Sequence, residues 1–179
     1  MKALLVIDMQ REFITGIYNK ENIIFHIQGL IKCFQKQKQL IVFTQDYHTS
    51  PKDKEFIKFG KHCIKKTEGV KIIDELINYE HILIRKKRFS AFFNTKLNKI
   101  LLKHKIKEIF ISGIYTEYCI LATALDSYYN NYNVYVISDA TSTSNYEIHK
   151  NSISLIKKLS ANILTTNSVI KQLNKEKNI

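Results

Sequence analysis

The sequence has few of the features that mark secreted, membrane-spanning or repetitive proteins. No apolar run reaches the roughly 18 residues that a membrane-spanning helix needs. The opening MKALLVID loses its apolar character at Asp8 without a small-residue cleavage site, so we expect no signal peptide. There is no internal repeat, and low complexity is confined to the tail NKEKNI, residues 174–179. The cysteines are odd in number and widely spaced, which argues against a disulfide framework and for a reducing, cytoplasmic location: Cys33, Cys63 and Cys119.

Arginine is also scarce, although the chain is strongly basic. The formal net charge is +12, yet only three of the 28 basic residues are arginine, the residue preferred for bidentate phosphate and base contacts. The lysines are spread along the chain and do not form one run. We therefore expect neither nucleic acid nor a membrane as the main partner, although the charge can still attract anions to the surface.

Nearly continuous apolar runs alternate with longer segments that carry apolar residues at helical spacing. Such runs are typical of strands covered on both faces, and their alternation with helices predicts a three-layer α/β/α fold around a six-stranded, mainly parallel sheet. At 179 residues, the whole chain 1–179 is expected to form one domain. The predicted strands are 3–8, 40–46, 81–86, 108–113, 133–139 and 161–166, and the predicted helices are 21–38, 70–79, 94–104, 117–131, 146–159 and 167–173.

Several polar residues follow the predicted strands, at the sheet edge where open α/β folds bind ligands. Cys119 comes where a helix begins after the fourth strand, and a helix N-terminus lowers a thiol pKa and can hold an oxyanion. Most free cysteines, however, are small buried hydrophobes. Asp8 ends the first strand, where it is either a proton carrier or a turn former. Lys86 ends the third strand, where it either stabilises charged groups in the crevice or is simply solvated.

The connection at 46–69 is too long for routine linkage and carries metal-binding residue types. Asp46 and His48 are two residues apart as the second strand ends, so both side chains can point the same way. Glu55 and His62 follow at further intervals of seven. Such a set with open positions suits zinc, with iron and manganese as alternatives, whereas each residue taken alone could lie on the surface. A nucleophile, a proton carrier, a cation and a metal site together indicate acyl-transfer hydrolysis through a thioester.

With these residues in place, the sequence resembles the isochorismatase-like cysteine hydrolases, and within them the nicotinamidase (pyrazinamidase) group. The resemblance covers nearly the whole chain. The segments that carry it are LLVIDMQREF, TQDYH with GKHC, KKRFSAF, SGIYTEYCILATALDS and SDATSTSNYEIH. The usual Trp-Pro near the second metal histidine is replaced by FGK, and Phe89 stands where tyrosine is common.

The resemblance implies a Rossmann-like fold and a role for each residue that matches. Cys119 is then the nucleophile, Asp8 its proton acceptor and Lys86 the catalytic lysine. The backbone N–H groups of Tyr115 and Cys119 form the oxyanion hole, next to a cis peptide bond between Ile114 and Tyr115. The ligands of one divalent metal ion are Asp46, His48, His62 and, as a further candidate, Glu55, and the aromatic rings around the substrate are Phe13, Phe59 and Phe89.

The resemblance further implies that nicotinamide, or an analogue such as pyrazinamide, is hydrolysed to the acid and ammonia in NAD salvage. The alternative is another amide or ureido hydrolase of the same family with a different small substrate. Whether the protein forms a homo-oligomer is left open.

Overall fold

The computed structural model describes residues 1–176, so the last three residues of the predicted tail lie outside the described part. Its centre is a sheet of six strands in the order β3-β2-β1-β4-β5-β6, with every neighbouring pair parallel. This confirms the predicted fold class. The strands are β1 (Lys2–Ile7), β2 (Leu40–Asp46), β3 (Ile82–Lys86), β4 (Glu108–Ile114), β5 (Asn133–Ser142) and β6 (Asn162–Leu164).

The helices cover both faces of this sheet and create two separate cores. One core packs α2 and α8 against the sheet, and the other packs α5, α6 and α7 against the opposite face. Because both faces are covered, β1 is buried along its whole length and its sequence KALLVI does not alternate. The helices are α1 (Arg11–Ile14), α2 (Lys20–Lys36), α3 (Phe56–Phe59), α4 (Asp74–Ile77), α5 (Leu97–Lys103), α6 (Leu121–Tyr129), α7 (Tyr146–Leu159) and α8 (Thr166–Glu176). Within the described chain, no helix is both long and apolar enough to cross a bilayer.

The predicted helix at 70–79 is wrong over most of its length. Only Asp74–Ile77 is helical, because the residues before it make tertiary contacts instead of a helical ladder. Ile72 forms an antiparallel bridge with Gln10, and the N–H of Ile73 donates to the carbonyl of Met9 at 3.0 Å. The apolar side chains of this segment are therefore buried by the chain that leaves β1, and the helical spacing was incidental.

The strand order brings the site residues together at one edge. The order reverses between β1 and β4, the point at which open α/β sheets bind ligands. Ile7 pairs with Gly113 in register, and Asp46 pairs with Lys86. Gly113 has a φ of +112°, and a Cβ built there would lie 2.1 Å from the carbonyl oxygen of Ile7. Only glycine fits this close approach of β4 to β1, which sets the position of the chain that leads to Cys119.

Candidate active site

Asp8 and Lys86 form a fully buried ion pair at the end of β1. The Lys86 Nζ lies 2.6 Å from Asp8 Oδ2, and both side chains have no exposed surface. The hydroxyl of Thr44 donates to Asp8 Oδ1 at 2.6 Å and accepts the backbone N–H of Asp8 at 3.1 Å. The register of β1 with β2 supplies Thr44, a contact that was not predicted from the sequence. The Asp8 carboxylate is therefore held by a cation and a hydroxyl at once.

Cys119 faces this pair, with its Sγ 3.5 Å from the Lys86 Nζ. It lies in a π-helical turn, Thr116–Ile120, which precedes α6, so the helix predicted at 117–131 begins with a wider turn. The peptide bond between Ile114 and Tyr115 is cis, as the resemblance implies. The carbonyl of Tyr115 accepts the N–H groups of Tyr118 at 3.2 Å and Ile120 at 3.1 Å, which fixes the entry to the turn.

The expectation that the helix terminus lowers the thiol pKa is wrong for this structure. Burial, the largest cause, raises the pKa of Cys119 well above its usual value, and the nearby Asp8 raises it further while Lys86 opposes the shift. Burial also raises the pKa of Asp8 against the opposing charge of Lys86. Although burial alone would lower the pKa of Lys86, the Asp8 carboxylate outweighs it and the pKa is raised. These shifts favour the protonated thiol of Cys119 and the Lys86 ammonium, and they enhance the proton affinity of Asp8.

Asp46, His48 and His62 form a cluster with the donor set of a metal centre. Each offers one ligand atom, and these atoms lie within 4.8 Å of one another. His48 Nε2 is 3.0 Å from Asp46 Oδ1, and His62 Nε2 is 3.6 Å from Asp46 Oδ2. Three buried atoms of this cluster make no hydrogen bond of good geometry within the described structure. Two of them, Asp46 Oδ1 and His48 Nε2, lie 3.0 Å apart, and the third, His48 Nδ1, lies 3.3 Å from Asp53 Oδ2. Buried polar atoms are normally satisfied, so these atoms and this donor set fit a divalent cation.

The chain outside the cluster orients its members. The Gln10 side chain accepts the N–H of Asp46 at 2.8 Å and donates to the Asp46 carbonyl at 3.0 Å. His62 Nδ1 lies 2.9 Å from the carbonyl of Gly60, so the proton on Nδ1 leaves Nε2 free as a ligand. His48 Nδ1 lies 3.3 Å from Asp53 Oδ2. Asp53 was missed in the sequence because an aspartate in a loop carries no local signal of its contact.

Glu55, the fourth predicted ligand, lies outside that group of three. Its Oε2 is 3.2 Å from Arg88 Nη1, and its side chain is only 6% exposed. Burial raises the pKa of Glu55, and the charge of Asp46 adds to this shift while Arg88 opposes it. Glu55 is therefore close enough to interact with the cluster but is paired with an arginine. Its role as a ligand stays a prediction. Cys63, the neighbour of His62, is buried, and its Sγ lies 3.2 Å from Gln10 Nε2.

A cavity of about 220 Å³ joins the Cys119 thiol to Asp46 and His62 of this cluster. The predicted aromatic residues Phe13, Phe59 and Phe89 all line it, and Tyr115 and Tyr118 add two rings that were not assigned to the substrate. The centroids of Phe59 and Phe89 are 5.2 Å apart, as are those of Phe89 and Tyr118. The cavity is completed by Asp46, His62 and Cys119. A flat aromatic molecule placed here would contact apolar rings on its faces and polar groups at its edges.

The segment SDATSTSNYEIH supports the turn that carries the thiol. His149 Nδ1 lies 2.9 Å from the hydroxyl of Thr116, and the hydroxyl of Thr143 donates to Glu117 at 2.7 Å. These contacts hold the first two residues of the π-helical turn. Burial lowers the pKa of His149, so the neutral imidazole is favoured in this packing.

A buried thiol beside a lysine–carboxylate pair, at the ligand-binding edge of a parallel sheet, is the arrangement expected of a hydrolase with a cysteine nucleophile. Residues 2–168 match the model of the Isochorismatase domain. This chain belongs to the isochorismatase family.

Its relatives include nicotinamidases. The chain is 30% identical over 189 residues to the nicotinamidase of Saccharomyces cerevisiae, covering 79% of this chain and 88% of the relative. It is 32% identical over 163 residues to an Arabidopsis thaliana protein described as a "probable inactive nicotinamidase", covering 82% and 83%. The crystal structure of the pyrazinamidase of Pyrococcus horikoshii in complex with zinc is similar with a TM-score of 0.82 at 30% identity, covering 92% of this chain and 98% of that one.

Proposed function

We propose that this protein is a nicotinamidase, which hydrolyses nicotinamide to nicotinate and ammonia through a thioester on Cys119. The observation that carries the proposal is the shared cavity, which is lined by Cys119, by Asp46 and His62, and by aromatic rings. Nicotinamide has both groups that such a cavity would bind, a carboxamide carbon for attack by the thiol and a ring nitrogen for the metal-ligand residues. The role in NAD salvage and the cytoplasmic location stay predictions from the sequence.

The first half of the reaction forms the thioester. Asp8 takes the Cys119 proton, and the thiolate attacks the carboxamide carbon, which places negative charge on the carboxamide oxygen. The backbone N–H groups of Tyr115 and Cys119 are proposed to donate to this oxyanion. The proton then passes from Asp8 to the departing nitrogen, which leaves as ammonia. The raised pKa of Asp8 suits both transfers, because the group must accept the thiol proton and then deliver it to the departing nitrogen.

The second half releases the acid. Asp8 removes a proton from a water molecule, the hydroxide attacks the thioester carbon, and the carbon–sulfur bond breaks as the Cys119 thiolate leaves and takes that proton back from Asp8. Lys86 remains charged throughout, because its raised pKa holds the ammonium beside Asp8 and Cys119. Its charge stabilises whichever of the two groups is ionised at each stage.

A divalent ion, held by Asp46, His48 and His62, would supply a Lewis acid for the substrate's ring nitrogen and for bound water. Zinc is the first expectation for this set of one carboxylate and two imidazoles, and iron and manganese are the alternatives. The zinc-bound pyrazinamidase relative supports that order. Its substrate class also supports pyrazinamide as an alternative substrate here.

The family alone does not carry the activity, because one relative is described as a "probable inactive nicotinamidase". What supports activity here is the intact set of Asp8, Lys86 and Cys119 in mutual contact. The test is ammonia release from nicotinamide by the purified, zinc-loaded protein. Cys119→Ala should abolish release, and Cys33→Ala should not, because Cys33 belongs to α2 and is buried in the core between that helix and the sheet.

Zinc-dependent release by the wild type that Cys119→Ala lacks would support the whole proposal. Release by Cys119→Ala at the wild-type rate would remove the thiol from the mechanism. No release from a folded, metal-loaded protein would overturn nicotinamide as the substrate and favour another small amide or ureido compound.

A further inference from the structure

Arg88 connects the segment that carries Lys86 to the loop that carries the metal-ligand residues. It lies two residues beyond the end of β3. Its Nη1 is 3.1 Å from Asp53 Oδ1 and 3.2 Å from Glu55 Oε2. The two carboxylates are largely buried, with side chains 14% and 6% exposed, whereas the arginine is 42% exposed. One guanidinium nitrogen therefore holds two buried carboxylates that belong to a different loop.

The contact with Asp53 leads directly to a metal-ligand residue. The other oxygen of that carboxylate, Oδ2, lies 3.3 Å from His48 Nδ1, and His48 has no exposed surface. Oδ1 of Asp53 also accepts the N–H of Glu55 at 3.0 Å, which closes the turn between them. A carboxylate on the second nitrogen of a ligating histidine fixes its tautomer and ring orientation. Asp53 in turn needs its own partner, because a carboxylate free to rotate cannot hold a ring in one orientation.

We propose that Arg88 is a positioning residue for the metal centre, which acts through Asp53 on the His48 ring. The proposal rests on the metal site of the proposed function. It also connects the position of the substrate cavity to that of the metal site, because Phe89, the residue after Arg88, lines the cavity. Arg88 itself is not among the residues that line it, so its effect on the metal is indirect.

A purely electrostatic role predicts the opposite sign. Arg88 is a cation that pairs directly with two carboxylates, Asp53 and Glu55, beside the metal-ligand residues. If charge alone mattered, removal of Arg88 would make the site more negative and would tighten the binding of a divalent cation. If positioning matters, removal would weaken binding, because His48 would lose its fixed orientation. The direction of the change in metal affinity separates the two roles.

Arg85, in the strand β3 that precedes Arg88, offers a matched control. Its guanidinium stacks on the ring of Tyr47 at 4.2 Å and its Nε donates to Gln45 at 3.1 Å. The ion pairs of the described residues do not link it to Asp53 or Glu55. Arg85→Met therefore makes the same substitution and removes the same charge a few residues away, but it leaves the contacts of Arg88 with Asp53 and Glu55 in place.

The experiment measures the zinc dissociation constant of the full chain by competition with a chromophoric chelator, and the visible spectrum of the cobalt-substituted protein. We expect Arg88→Met to weaken zinc binding about 10- to 100-fold, the range typical for loss of a group that orients a ligand, and to alter the cobalt spectrum. Arg85→Met should stay within about threefold of the wild type. In an Asp53→Ala background, Arg88→Met should add less than about threefold, because the connection is already broken.

Three results would overturn the proposal. Unchanged or tighter zinc binding by Arg88→Met, with wild-type binding intact, would refute positioning and leave the proposed catalysis standing. An equal loss in the Asp53→Ala background would show that Arg88 does not act through Asp53. Failure of the wild type to bind zinc, iron or manganese would overturn both this inference and the metal site on which it rests.

Discussion

Replacing Lys86 with methionine leaves the Asp8 carboxylate buried without its cationic partner. The pair is 2.6 Å apart with no exposed surface on either side chain, so solvent cannot take over the role of the ammonium. Breaking a buried pair in this way costs about 3–5 kcal/mol, because an uncompensated charge remains in the interior. In a chain of 179 residues that corresponds to a fall in Tm of roughly 6–20 °C. Methionine keeps much of the side-chain volume, so the loss reports charge more than packing.

The loss should depend on pH in a defined direction. Without Lys86, the pKa of Asp8 in the folded state rises further above its unfolded value of 3.8, since burial is already the largest cause of its shift. A group with a raised folded-state pKa contributes stability at low pH and loses it as pH rises through that pKa. Lys86→Met should therefore be closer to the wild type at pH 5 than at pH 8, as measured by urea unfolding. A deficit of 3–5 kcal/mol corresponds to about 2–4 pKa units.

The double variant Asp8→Asn with Lys86→Met separates charge from shape. It removes both ions and should recover most of the stability lost by the single variant, because no buried charge remains. A Lys86→Met deficit below about 1 kcal/mol at pH 8, or a double variant no more stable than the single one, would refute the reasoning. In that case the Asp8 carboxylate would already be neutral or hydrated in the wild type.

Three further perturbations test other parts of the structure. Gly113→Ala should lower the free energy of unfolding in urea by more than about 3 kcal/mol, because the new Cβ would lie 2.1 Å from the Ile7 carbonyl oxygen. The control Gly29→Ala in α2 meets nothing within 4 Å and should stabilise the protein by about 0.5–1 kcal/mol. Similar values for both variants would contradict the close approach. The apparent pKa at which kcat/KM falls on the acid side should be above 3.8, because the base must be ionised to accept a proton and burial raises the pKa of Asp8. An apparent pKa at or below 3.8 would argue against Asp8 as the base. His48→Ala should lower the zinc content and raise KM together. His26 lies 3.8 Å from Asp139 and outside the cluster, so His26→Ala should change neither quantity. A His48→Ala variant that still holds zinc would contradict ligation by His48.

The elements of the sheet and the residues that end its strands could be predicted from the sequence because their signals are local. Continuous apolar runs identify strands buried on both faces, and polar residues at their ends lie at the ligand edge of a parallel sheet. Asp8, Lys86 and Asp46 were found in this way. The two-residue spacing of Asp46 and His48 correctly predicted that both side chains point into one cluster.

The tertiary structure alone decided the contacts that adjust these residues. The pairing of His48 with Ile64 in a parallel bridge brings His62 back to Asp46, and no local pattern specifies that return. Burial raises the thiol pKa of Cys119, whereas its position near a helix start predicted the reverse, because desolvation depends on what the rest of the chain packs around it. The sequence by itself determined which chemical groups reach the sheet edge, because the apolar runs that mark the strands are short-range signals. The protonation, orientation and partners of these groups depend on residues distant in the chain, so they appear only when the fold is complete.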